Sequence, residues 1–269
     1  MKTKKLNRTY KNGGMKFLAQ GTHGIIYELG DKVVKQFKNR PHHKPSLCSS
    51  IKSSIHTQCD EVEYEYRVQQ MVHDLLESRH CMIKVPASSS FSVQGDTCQY
   101  TMDRIYPLDT HLLFVDMTFQ KGERSQTSTS KQVGYVDMAS LLGITPNDLA
   151  MLIGELFSAL HFLLKVDGYD CELILGKGGL YFIDFDKVSC FEFTTNQTLL
   201  RKISEEVYDE KIITNYKKLA RFLFGSFISM SLLPVDPLLK SYFLLGYKKY
   251  MVLPELMQEI TTMIDEYSI

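Results

Sequence analysis

Apolar positions in the first third of the chain come in short bursts. Residues 16–19 and 25–29 are separated by Gly21-Thr22-His23-Gly24, and Gly30-Asp31 separates the second burst from residues 32–37. A two-residue turn containing Gly between β-branched runs is a hairpin signal, so three antiparallel strands are predicted. Residues 39–59 are rich in Ser, His, Pro and Lys and read as a long exposed loop. Over residues 60–76 the period lengthens, and Val62, Val68, Met71, Val72 and Leu75 fit a helical stripe in part. Residues 91–93 and 99–105 flank Gln94-Gly95-Asp96 and predict a second hairpin.

The second half is mostly helical in pattern. Residues 120–134 form a polar insertion without periodicity. Thr145 is a good N-cap with Pro146 at the first helical position. Leu149, Ile153, Leu156, Leu160 and Leu163 then recur at steps of 4, 3, 4 and 3, one face of a long buried helix. Residues 173–175 and 180–183 read as short strands around Gly176-Lys177-Gly178-Gly179, with three or four helices filling the rest. The longest apolar run, residues 222–235, is shorter than the ~18 residues a spanning helix needs and reads as a buried C-terminal helix.

Composition narrows the function classes. The 269 residues are 44% hydrophobic and 23% charged, ordinary for a globular chain, and 31 basic residues balance 31 acidic ones. Neither duplex nucleic acid nor an anionic membrane is implied as a partner by that total. Fifteen Tyr and fifteen Phe, with no Trp, form no spaced pattern with Lys or Arg, so stacking on single strands is not supported. A nucleic-acid-binding module would rest only on residues 1–14, a basic stretch ending in Gly-Gly that reads as a flexible leader. The six cysteines lack CxxC spacing, and the N-terminus lacks an apolar signal region. Free thiols and an intracellular protein with no transmembrane helix are the expectation. His42, His43, His56 and Cys48 lack the ligand spacing of a zinc site.

Four features carry candidate chemistry. Gly21-Thr22-His23-Gly24 lies between strands, where glycines let backbone N–H groups approach phosphate oxygens. Lys35 ends Val33-Val34-Lys35, and an inward lysine needs an anion. Glu61, Glu63 and Glu65 on the next helix are the candidates. Glu65 is favoured, because Val68 and Val72 follow it at steps of 3 and 4. Asp167-Gly-Tyr-Asp170-Cys-Glu172 follows the long helix, and Ile183-Asp184-Phe185-Asp186 ends a strand. Carboxylates gathered in apolar surroundings call for a cation.

In this order the four features resemble the protein-kinase-like superfamily. Residues 19–27 (AQGTHGIIY) resemble the Gly-rich loop, Lys35 the phosphate-binding lysine, and Glu65 its helix partner. Met102-Asp103-Arg104-Ile105 resembles the hinge beside adenine, with Met102 and Tyr106 as hinge packing. Asp167 resembles the catalytic-loop Asp, Glu172 stands where the metal-binding Asn is expected, and Asp184 resembles the magnesium Asp. The resemblance spans roughly residues 16 to 190. Its departures are Lys165-Val166 for His-Arg, Asp186 for the Gly of DFG, and no A-P-E. Ile183-Asp184-Phe185-Asp186 is closer to aminoglycoside- and choline-kinase-like enzymes, and residues 167–176 are also similar to an uncharacterised fungal kinase-like family.

The resemblance implies an α+β, two-lobed kinase-like fold: leader 1–14, small antiparallel N-lobe with one helix 15–106, helical C-lobe 107–269. It implies ATP and Mg²⁺ as cofactors. Gly21, Thr22, His23, Gly24, Ile26, Lys35, Met102, Asp103 and Ile105 would hold nucleotide, and Glu172, Asp184 and Asp186 metal. Asp167 would act on the acceptor, with Lys35 and Glu65 completing the catalytic set. Two functions follow: a phosphotransferase acting on a hydroxyl of a small molecule or protein, or a catalytically impaired pseudokinase serving as a nucleotide- or protein-binding scaffold. The altered H-R-D-N positions favour the scaffold, and the retained Lys35, Asp167 and Asp184 favour activity. The missing A-P-E speaks against a typical peptide-substrate platform.

Overall fold

The computed structural model of the protein describes residues 15–20, 24–37, 58–95, 97–108, 111–125, 130–193, 211–213 and 215–267. The chain is α+β, with antiparallel and mixed sheets in a layout compatible with two lobes. The expected leader, most of the 39–59 loop and residues 21–23 lie outside the described residues.

The opening bursts form a meander of β1 (Lys16–Gln20), β2 (Gly24–Leu29) and β3 (Lys32–Phe37). Gly30 turns between β2 and β3 at φ 64°, where a β-carbon is disfavoured. Helix α1 (Gln58–Ser78) follows. The two-residue β4 (Ile83–Lys84) joins a second sheet, while β5 (Ser88–Gln94) and β6 (Thr97–Asp103) return to the first. The first sheet is antiparallel throughout, in the order β1-β2-β3-β6-β5.

Helix α1 buries Val62, Glu65, Val68, Val72 and Leu76, one face at helical spacing. Met71 and Leu75, expected on that stripe, are only half-buried. Val62 packs with Cys98 and Tyr100 under the first sheet, whereas Val68, Val72 and Leu76 join the large core beyond it. One helix therefore anchors in both cores. Cys59 and Cys98 form a disulfide between α1 and β6, which corrects the expectation of free thiols at these positions. The cysteines met as free thiols among the described residues are Cys81 and Cys171.

The second sheet is mixed. It comprises β4, β7 (Leu112–Asp116), β8 (Glu123–Ser125), β9 (Ser130–Gly134), β10 (Glu172–Gly176) and β11 (Gly179–Ile183), in the order β4-β11-β10-β7-β9-β8. Strands β8 and β9 form within the polar insertion, which has no periodicity in sequence. Among the described residues of the insertion, Val133 is the one buried hydrophobic side chain, so the backbone pairing of β9 with β7 and of β8 with β9 holds the segment rather than an apolar alternation.

Helices α2 (Tyr135–Leu142) and α3 (Pro146–Ala159) follow, α3 opening on the predicted cap: Thr145 and Asp148 form a capping box. The helix widens into a π-turn over Leu160–Leu164. The wider turn rotates Leu163 off the buried face, and it is 38% exposed instead of buried. By length and composition Pro146–Leu164 could cross a membrane, contrary to expectation, but 56% of it is buried inside the protein.

Short strands β12 (Phe191–Phe193) and β13 (Lys211–Ile213) pair in parallel. Helices α4 (Tyr216–Ser229), α5 (Pro237–Tyr247) and α6 (Pro254–Glu266) complete the described chain. The apolar run 222–235 is not one helix: α4 stops at Ser229, and Leu232 and Leu233 are buried in the turn after it. Helices α3 and α5 touch backbone to backbone at glycines. A β-carbon on Gly154 would lie 2.0 Å from the Phe243 carbonyl oxygen, and one on Gly246 2.0 Å from that of Met151.

Candidate functional site

Lys35 sits at the centre of β3, directly opposite Ile26 on β2 and Tyr100 on β6. Cross-strand partners share a face, so Ile26, Lys35 and Tyr100 form one row, and Met102, opposite Val33, lies on that same face. Lys35 Nζ donates to Glu65 Oε1 at 2.5 Å and to Asp184 Oδ1 at 2.9 Å. Glu65, not Glu61 or Glu63, is thus the helix partner. It falls within the buried stripe of α1 rather than at its border.

The pair is nearly dry, with side chains 11% and 2% exposed, whereas Asp184 is 42% exposed. Burial pushes the Glu65 carboxyl up; Lys35 opposes this and Asp184 adds to it, leaving the group at about 7. Burial alone would depress Lys35, but the Glu65 and Asp184 carboxylates outweigh it and hold Lys35 firmly as an ammonium. Tyr100 O–H donates to Glu65 Oε1 at 2.9 Å, and Gln69, which donates to the Pro86 carbonyl at 2.8 Å, lies 3.3 Å from the same hydroxyl. Sequence reasoning missed Tyr100 and Gln69. Their signal was a polar atom at each of two core-facing positions.

Asp184 reaches Lys35 because the chain leaves β11 with Asp184 at φ 67°, a left-handed conformation that Asp tolerates better than most residues. The next side chain, Phe185, is fully buried and packs edge-on against Phe182. Glu172 opens β10 directly opposite Ile183, which places it one residue from Asp184 in register. It keeps contact with solvent. Partial withdrawal from water, and then the charges of Asp184, Asp170 and Asp186, push its carboxyl up to about 7.

A bound cation would relieve that crowding. Among the described residues no three His, Cys, Asp or Glu side chains already form a metal cage. Mg²⁺ does not need one, since it is usually held by one or two carboxylates plus phosphate oxygens and water. Hard carboxylate oxygens whose repulsion a cation would relieve fit such an ion.

The segment 165–172 separates two carboxylates that are three residues apart. Asp167 is 3% exposed. Its Oδ1 accepts from the backbone N–H of Ser189 at 2.7 Å and of Tyr169 at 3.1 Å, and its own N–H donates to the Ser189 carbonyl at 2.9 Å. His161 Nε2 lies 3.1 Å from the Asp167 carbonyl, which can only accept, so the proton is on Nε2 and Nδ1 accepts from Tyr247 O–H at 2.7 Å. Burial among Phe157, Phe227 and Tyr247 lowers His161 to about 3 and keeps it neutral. Asp170, by contrast, is 39% exposed and pairs with Lys187. Sequence reasoning singled out neither His161 nor Lys187.

The other expected nucleotide contacts are spread along the first sheet and its exit. Gly24 begins β2 opposite Phe37, while Gly21, Thr22 and His23 lie outside the described residues. Asp103 ends β6 in an ion pair with Lys32. Ile105 lies on the link to the second sheet, where its side chain abuts Gly176 in the β10–β11 hairpin and Tyr106 O accepts from the Lys177 N–H at 2.8 Å. No protein-family model and no curated protein sequence matches the chain.

Proposed function

We propose that the chain is a divergent kinase-like phosphotransferase that binds ATP and Mg²⁺ between two lobes and transfers the γ-phosphate to a hydroxyl acceptor. The observation that carries this reading is the buried Lys35–Glu65–Asp184 bridge, which joins β3, α1 and the end of β11. A lysine that two carboxylates hold charged in a nearly dry position suits phosphate oxygens, provided Asp184 yields it. Phosphoryl transfer asks for positioning and charge neutralisation rather than covalent chemistry, and this chain offers both. Lys35, steered by Glu65, would hold the α- and β-phosphates. Ile26, Met102 and Ile105 would flank the base. Asp184 and Glu172 would hold Mg²⁺, with Asp186 assisting; the ion would neutralise charge on the phosphates. The Asp167–Glu172 segment would face the acceptor.

A second reading, a catalytically silent scaffold, is favoured by one observation: Asp167, the residue aligned with the catalytic Asp, is immobilised by backbone N–H groups. ATP consumption by the wild-type protein, with Mg²⁺ and a panel of sugars, amino alcohols and a generic protein substrate, separates the two. Turnover above a Lys35→Met blank supports the phosphotransferase. Equal background rates favour the scaffold.

A further inference from the structure

Asp167 Oδ1 and both of its backbone polar groups are used to hold the chain together. Oδ1 accepts from both the Tyr169 and Ser189 N–H groups, the Asp167 N–H binds the Ser189 carbonyl, and its carbonyl binds His161. The adjacent bridge between Val166 and Cys190, and the Phe191 N–H bound to the Lys165 carbonyl at 3.0 Å, fix the same two segments together. A base must offer a lone pair to the acceptor proton within ~3 Å. A carboxylate that is 3% exposed and bound by backbone donors is poorly placed for that.

Asp170 has the opposite surroundings. It sits in a left-handed turn at φ 63° that lifts it out of the clasped segment, and its N–H lies 3.3 Å from Ser229 Oγ, which fixes the turn. It lies two residues before Glu172, whose strand pairs with the one leading to Asp184, and its ion-pair partner Lys187 follows Asp186 directly. Apart from Glu172, itself a candidate metal ligand, it is the carboxylate of this segment that reaches solvent.

We propose, resting on the phosphotransferase reading above, that Asp170 supported by Lys187 is the catalytic carboxylate toward the acceptor, and that Asp167 is a structural node. In the step, the acceptor hydroxyl oxygen forms a bond to the γ-phosphorus and the bond from that phosphorus to the β–γ bridging oxygen breaks. ADP leaves with the electron pair, and the acceptor proton passes to a carboxylate oxygen of Asp170. Lys187, whose ammonium pairs with the Asp170 carboxylate, adds positive charge where the phosphoryl group passes.

The test compares Asp170→Asn and Asp167→Asn in the full chain, reading ATP turnover, Tm and the Tm shift given by ATP with Mg²⁺. Asp170→Asn is expected to lower turnover by ~100-fold or more, with Tm and the nucleotide shift kept. Asp167→Asn is expected to lower Tm by several degrees. Wild-type turnover in Asp170→Asn overturns the assignment and leaves the phosphotransferase reading standing. So does a loss of turnover at unchanged Tm in Asp167→Asn alone, or a fall in Tm that accompanies the loss in Asp170→Asn. A wild-type protein that consumes no ATP removes the reading and the assignment together, so the two failures are told apart.

Discussion

Lys35 meets two carboxylates of different exposure, and the difference sets what each does. Glu65 is dry and cannot be separated from its cation cheaply; Asp184 reaches water and can. Removing one partner of a buried ion pair costs about 3–5 kcal/mol because the other charge is stranded. Lys35→Met should therefore lose on that order of stability in urea titrations at pH 8. At pH 5 the loss should be smaller, since Glu65, already raised to about 7 with its lysine present, takes up a proton and needs no partner. An equal loss at both pH values would show that Glu65 is not the stranded group. Glu172 gives a second pH effect. Its carboxyl is raised from 4.5 to about 7 on folding, so its favourable contribution is present below about 4.5 and is lost as pH rises through about 7. Glu172→Gln should match wild type near pH 5 and melt higher at pH 8. The gain should be about 2–4 °C, the shift that ~1 kcal/mol gives at this size after discounting for solvent screening. A lower Tm at pH 8 would mean that the carboxylate is stabilising there. Glu65 was readable in advance because Val68 and Val72 locate the helix face. Tyr100 and Gln69 were not, because a buried hydroxyl or amide has no period of its own and is recognised only once its partner is placed.

Elements with a strong period were legible and those held by backbone pairing were not. The meander, the β5–β6 and β10–β11 hairpins and the capped start of α3 each carry a local signal: a Gly turn, an alternation or a Thr-Pro cap. Strands β8 and β9 carry none, since the pairing of β9 with β7 and of β8 with β9 uses main-chain groups that every residue has. The π-turn after α3 is similarly silent, and it moved Leu163 to the surface while Leu160 stayed buried. The junction of α3 with α5 gives a test at this scale. Gly154→Ala must push helices apart or distort the Phe243 carbonyl, and should destabilise by about 1–3 kcal/mol in denaturant titration. Gly225→Ala, in the interior of α4 with no atom within 4 Å of the new methyl, should instead stabilise by about 0.4–1 kcal/mol. Similar effects at both sites would mean that the close helix approach does not exist.

At the scale of the whole molecule, α1 is the element through which the two cores act on one another. It contributes Val62 to the small core, Val68, Val72 and Leu76 to the large one, and Glu65 between them. Tyr64 on the same helix donates to the Val188 carbonyl at 3.1 Å, tying it to the segment that follows Asp186. Any ligand that draws Lys35 away from Asp184 acts on this junction. The most direct measurement is the Tm of the wild-type protein, Lys35→Met and Asp184→Asn, titrated with ATP in the presence and absence of Mg²⁺. The wild type should gain stability as ATP rises, by about 2.7 kcal/mol once ATP reaches a hundred times Kd. Lys35→Met should show no gain, and Asp184→Asn should lose the Mg²⁺-dependent part. A wild-type Tm that does not respond to millimolar ATP with Mg²⁺, or a response that Lys35→Met retains in full, would contradict a nucleotide site at the Lys35–Glu65–Asp184 bridge.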